Sequence, residues 1–172
     1  MDVWIARTWQ GTELPQTERA RLGLTCSAVG LELTVDAPFY GDPPPPARPG
    51  PTDRLWEYET VELFLAGPGP AAAVPYTEIE LSPHGHHLLL RFLGVRNPIE
   101  RALPLAYRAR RQAGRWQGEA WIPESYLPPR PWRCNAYALH GIGAGRRYLA
   151  AWPLPGPAPD FHQPDRFPPI AL

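Results

Sequence analysis

Proline constrains this chain more than any other residue, occupying 25 of its 172 positions. A proline stops a helix beyond its first turn and cannot donate to the ladder of a central strand. Long helices are thereby excluded, which leaves short strands joined by turns and extended loops. With 15 glycines added, the two residue types make up roughly 23 % of the chain, close to the range of disordered sequences. The apolar content decides against disorder. Hydrophobic residues make up 44 % and aromatics 11 %, with seven tryptophans. A chain of this size folds as one domain that hides roughly 70 % of its unfolded surface. We therefore expect a single all-β domain over residues 1–172.

Alternation with a period of two recurs along the chain, and helical periodicity is nearly absent. Strands are expected at Leu22 to Ala28, Val29 to Asp36, Tyr58 to Ala66, Tyr76 to Ser82 and His87 to Leu93, and again at Leu105 to Gln112, Arg115 to Ile122, Arg133 to Gly141 and Arg146 to Trp152. Only Pro123 to Leu127 reads as a helical turn. Such a series of short antiparallel strands fits a β-sandwich of jelly-roll or immunoglobulin-like type. The stretch from Asp42 to Asp53, with Pro43 to Pro46 in a row, is expected to be a stiff exposed loop. Trp4, Trp9, Trp116 and Trp121 are assigned to packing.

Charge removes several classes of function. The 17 basic residues balance 17 acidic ones, so no long-range field draws in nucleic acid or an anionic membrane. All 17 are arginine, which excludes Schiff-base chemistry and a P-loop lysine. The three serines, Ser27, Ser82 and Ser125, lie in no Gly-x-Ser-x-Gly elbow. Cys26 and Cys134 have no neighbouring ligand at metal spacing and read as free thiols in preference to a disulfide. The N-terminus shows no basic start followed by an apolar run, so a cytoplasmic location is expected, and no apolar stretch reaches membrane-spanning length.

Joining Tyr76–Ser82 and His87–Leu93 through the four residues Pro83 to His86 sets Leu81 opposite Leu88 and Glu78 opposite Arg91. One face then collects Ile79, Leu81, Leu88, Leu90 and Phe92. The other collects Glu78, Glu80, His87, Leu89 and Arg91, with Glu62 of the preceding strand pointing the same way. Carboxylates accept from hydroxyls and arginine donates to them, so this face can hold a neutral, hydroxyl-rich ligand. Trp56, at a loop-to-strand junction, and Trp152, at a strand end, supply flat apolar surfaces for a sugar ring.

Two blocks, Leu55-Trp56-Glu57-Tyr58-Glu59-Thr60-Val61-Glu62-Leu63-Phe64 and Tyr76-Thr77-Glu78-Ile79-Glu80-Leu81-Ser82-Pro83-His84-Gly85, resemble motifs of DOMON-like proteins related to family 9 carbohydrate-binding modules. The C-terminal run Trp132-Arg133-Cys134-Asn135, Tyr148 to Trp152 and Asp160-Phe161-His162-Gln163-Pro164-Asp165-Arg166-Phe167 is similar to that group's ending. The resemblance implies a non-catalytic β-sandwich binding a mono- or oligosaccharide between two aromatic walls, Trp56 and Trp152. Glu62, Glu78, Arg91 and the amide of Asn135 would hold its hydroxyls, with His162 anchoring the C-terminal loop or lining the slot.

Other relatives of that group bind haem through methionine and histidine, or carry structural calcium. Met1 is the only methionine, and no acidic run marks a calcium loop, so no cofactor is expected. His84, His86 and His87 remain as candidates for a metal or haem, though two of them sit in a hairpin turn. A glycosidase using Glu62 with Glu78 or Glu80, and a protein-interaction module using the polyproline loop, are the further alternatives. Oligomeric state is not legible.

Overall fold

The computed structural model describes residues 1–154 and 156–172. Two antiparallel sheets face one another. The first holds five strands in the order β1-β3-β4-β10-β9, and the second holds seven in the order β2-β12-β11-β5-β6-β7-β8. The strands are β1 Asp2–Ile5, β2 Arg7–Thr8, β3 Ala20–Ser27, β4 Gly30–Pro38, β5 Thr60–Ala66, β6 Pro75–Leu81, β7 His87–Leu93, β8 Pro98–Glu100, β9 Ala106–Gln112, β10 Arg115–Pro123, β11 Arg133–His140 and β12 Arg147–Ala150. All nine expected strands are present. The short β1, β2 and β8 are additional, and Glu124–Tyr126 forms the expected helical turn as a 3-10 element. No α-helix occurs among the described residues.

Alternating side chains of both sheets fill the space between them. Leu22, Leu24, Leu31, Leu33, Trp116 and Ile122 meet Val61, Leu63, Leu65, Ile79, Leu81 and Leu89, all essentially buried. Trp4 and Trp121, assigned to packing on sequence, instead lie on solvent-facing positions of β1 and β10 and are exposed. Cys26 and Cys134 are free thiols on strands of different sheets.

The seven-stranded sheet is covered on its outer face as well. There Phe64, Tyr76, Leu88, Leu90, Phe92, Tyr137 and Leu139 pack beneath Leu55, Val74 and Phe167, which come from loops. Burying each large apolar side chain contributes about 1.5–3 kcal/mol, enough to fix proline-rich segments that make few backbone ladders. The second core explains why every residue of β5 is buried, including Glu62.

The β6–β7 hairpin departs from the expected register by one residue. Leu81 pairs with His87, Ile79 with Leu89 and Glu78 with Leu90. The loop has five residues, Ser82 to His86, closed by Ser82 N–H donating to His86 O at 3.0 Å and Gly85 N–H to Ser82 O at 3.1 Å, with Gly85 at φ 84°. A slip of one residue moves every β7 side chain to the other face. Leu88, Leu90 and Phe92 therefore share the outer face with Glu78 and Glu80, while Arg91 lies opposite Thr77 on the other face.

The polyproline loop is strapped to this hairpin. Thr52 N–H donates to His87 O and His87 N–H to Gly50 O, at 2.9 and 3.0 Å. His84 Nε2 donates to Asp42 O at 3.1 Å, and His86 Nε2 to Ala47 O at 3.0 Å. His87 Nε2 accepts from Leu105 N–H at 3.3 Å. The three histidines, candidates for a metal or haem on sequence, direct ring nitrogens onto separate backbone groups, which suits the polar turn expected there. At the loop's start, buried Glu59 accepts from Tyr40 N–H and Asp42 N–H. Most of the loop is exposed as expected, but Pro45 and Thr52 are buried.

Candidate functional site

Glu62 sits at the centre of β5, in the middle strand of the seven, and its cross-strand neighbours are Glu80 on β6 and Tyr137 on β11. Glu78 is two residues from Glu80 on the same face. One carboxylate oxygen from each of the three glutamates lies within 4.8 Å of the other two. Their exposures are 1 %, 4 % and 0 % for Glu62, Glu78 and Glu80. Glu62 Oε1, Glu78 Oε2 and both oxygens of Glu80 are buried without a hydrogen-bond partner among the described residues. Burial pushes the Glu62 carboxyl up to about 8, against a weaker opposing pull from Arg146. Glu78 and Glu80 are held well above the usual carboxylate range, by burial first and then by the neighbouring carboxylates.

Above Glu62 and Glu78 opens a cavity of about 410 Å3. Trp56, Tyr148 and Phe161 form its aromatic walls, Leu90, Phe92 and Leu139 its apolar floor, and Arg96, Arg101 and His162 its polar rim. Trp56, 36 % exposed, lies on the 3-10 turn Leu55–Glu57. Arg146 holds that turn by donating to the carbonyls of Trp56 and Tyr58 at 2.6 and 3.0 Å. Phe161 stacks on Tyr137 with centroids 3.8 Å apart and meets Tyr148 edge-on.

His162 is fixed from one side. Tyr76 hydroxyl accepts from Arg96 N–H at 2.9 Å and lies 2.9 Å from His162 Nδ1, so its own proton is free for that nitrogen. The neutral ring then carries its hydrogen on Nε2, which faces Glu78 Oε2 at 3.8 Å. Burial, helped by the charge of Arg96, lowers this imidazole to about 4 and keeps it neutral near pH 7.

Four of the seven residues nominated from sequence line this cavity: Trp56, Glu62, Glu78 and His162. Arg91, Asn135 and Trp152 do not. The register shift takes Arg91 to the other face, where it pairs with Glu100. Asn135 is fully buried and spends its whole amide internally. Its Nδ2 donates to Tyr137 Oη and Trp152 O, both at 2.8 Å, and its Oδ1 accepts from Ala136 and Trp152 N–H. Trp152 packs against the core between the sheets, so the wall facing Trp56 comes from Tyr148 and Phe161 instead. Both stood inside the C-terminal motif, but nothing local in the sequence sets them apart from Trp152. Glu80, set on the same polar face as Glu62 and Glu78 on sequence and also offered as a glycosidase partner, is the third member of the carboxylate group in the ladder.

No family model matches the chain. The mouse UPF0462 protein C4orf33 homolog is 39 % identical over 180 residues, spanning 100 % of this chain and 92 % of the relative. The human UPF0462 protein C4orf33 is 39 % identical over 170 residues, spanning 94 % and 83 %. Among solved structures, a candidate carbohydrate-binding protein from Bacteroides uniformis superposes with a TM-score of 0.68 at 16 % identity, over 87 % of this chain and 76 % of the other. That likeness establishes a shared fold. The sequence relatives bear the UPF0462 name and not that of the DOMON-like group.

Proposed function

The chain belongs to the UPF0462 family, and we propose that it is a non-catalytic binding protein whose pocket takes a mono- or oligosaccharide. The observation that carries this reading is the juxtaposition of the exposed Trp56 ring with the Glu62 and Glu78 carboxyls across one cavity. A sugar ring presents C–H faces to aromatic walls and hydroxyls to polar groups, and both surfaces are available here. The cavity volume of about 410 Å3 suits a small ligand. The fold shared with the Bacteroides uniformis protein, described as a candidate for carbohydrate binding, supports the same reading at the level of architecture only.

Zero net charge fits a neutral ligand better than nucleic acid or a membrane surface. The test is tryptophan fluorescence during titration with a panel of neutral mono- and disaccharides. A saturable change that disappears in Trp56→Ala is expected, and no change with any sugar of the panel overturns the reading.

A further inference from the structure

We propose that Glu62, Glu78 and Glu80 bind one calcium-sized divalent cation through their carboxylate oxygens at the floor of this pocket. Three acidic side chains on one sheet face are not in themselves a site. Glu80 supplies the additional observation: it is fully buried, turned towards the other two, and both its oxygens are without a hydrogen-bond partner among the described residues. Native proteins seldom leave buried acceptors unsatisfied, because each gives up its hydration with no bond in return, and charged groups suffer most. Here four carboxylate oxygens are in that position within one small volume.

Neighbouring side chains do not supply the missing donors. Arg146 is committed to the carbonyls of Gly141, Trp56 and Tyr58, and Arg96 to Asp160. His162 directs a single N–H towards the outer oxygen of Glu78 at 3.8 Å, a position suited to orienting a ligating carboxylate. An ion answers the geometry better than a larger cationic ligand does. Glu62 and Glu78 line the cavity, whereas Glu80, beside them on the same sheet face, does not, so a group that reaches all three carboxylates must be small.

The donor set selects the metal. Three carboxylates with no cysteine suit a hard cation that prefers oxygen. Calcium takes oxygens at about 2.3–2.6 Å, so two ligands across the ion lie up to about 5 Å apart. Oxygens within 4.8 Å of one another match that span. Magnesium, with strict octahedral demands and a tightly held water shell, is usually held by one or two carboxylates and suits a group of three less well. The cavity on the open side leaves coordination positions for water or for ligand hydroxyls.

The experiment uses the full chain, stripped with EDTA and dialysed, with no sugar present. Titration with calcium is followed by calorimetry and by thermal unfolding, with manganese and magnesium run in parallel. The proposal expects one equivalent of calcium to bind. At a 100-fold excess over Kd, the melting temperature should rise by about 5–10 °C. Glu80→Gln should lose both effects, yet melt in EDTA at or above the temperature of the wild type, since it removes a buried acid without changing the shape. Glu62→Gln provides the same test should Glu80→Gln not fold. Absence of calcium binding in the wild type, or binding retained in both variants, overturns the proposal. Because the ion is read without sugar, these outcomes are separate from success or failure of the fluorescence titration.

Discussion

Glu62 and Glu80 stand directly opposite one another on β5 and β6, at the centre of the seven-stranded sheet and with almost no exposure to solvent. A like-charged pair in that position is unfavourable when ionised, both for mutual repulsion and for lost hydration. Without a cation the folded protein keeps protons on this group that the unfolded chain releases above about pH 4.5.

The sign of the resulting pH dependence follows. Where the folded state holds more protons than the unfolded one, stability falls as pH rises, by about 1.4 kcal/mol per pH unit for each proton retained. Burial lowers His140 and His162 to about 4, and lowers His84 and His87 as well, which makes stability rise with pH, but that effect fades above about pH 7.5, where the imidazoles of the unfolded chain have lost their protons. Between about pH 7.5 and 8.5 the glutamate group dominates. In EDTA the melting temperature should therefore decline across that window, and Glu80→Gln should flatten the decline. A wild-type curve that is level or rises there contradicts the burial argument.

The straps on the polyproline loop give a prediction about His86. Its ring is buried and Nε2 donates to Ala47 O. Removing the ring in His86→Ala leaves that carbonyl without its donor and opens space beneath the loop, at a cost of about 1–2 kcal/mol. For a chain of this size that is a fall of about 2–8 °C in melting temperature. Calcium stoichiometry, measured on the same protein, should not change.

Asn135 is expected to be structural. Asn135→Ala strands the N–H groups of Ala136 and Trp152 and leaves the Trp152 carbonyl and Tyr137 hydroxyl without a donor. The loss should be about 3 kcal/mol or more, visible as a lower denaturant midpoint with an unchanged slope. A variant as stable as the wild type would return Asn135 to consideration as a ligand group.

How far the sequence discloses this arrangement depends on the distance over which each feature is specified. The strands were legible because alternation is local. The face on which Arg91 lies was not, because it turned on whether the β6–β7 loop has four residues or five, and Pro83-His84-Gly85-His86 is a plausible turn in either register. Glu62 and Glu78 were correctly set on one face, yet their burial depends on Leu55, Phe161 and Phe167 folding over the sheet from distant loops. Trp152 looked like a wall because it ends a strand. Its backbone is captured by Asn135, and its ring packs on the core between the sheets while Tyr148, on the outer face of β12, reaches the pocket.

That difference between the two tryptophans is directly measurable. Trp56 is 36 % exposed and lines the cavity from a surface turn, with Arg146 holding its carbonyl. Trp56→Ala should leave stability within about 0.5 kcal/mol of the wild type, as expected for a surface position. The same variant should weaken sugar binding by roughly 10- to 100-fold, the cost of truncating an aromatic anchor. Trp152→Ala should do the reverse. It takes apolar surface out of the core between the sheets and should lower stability by about 2 kcal/mol or more, while sugar affinity at a temperature where the variant is folded stays within about twofold. Equilibrium denaturation and fluorescence titration of both variants check this, and equal loss of affinity in the two would restore Trp152 as a wall of the slot.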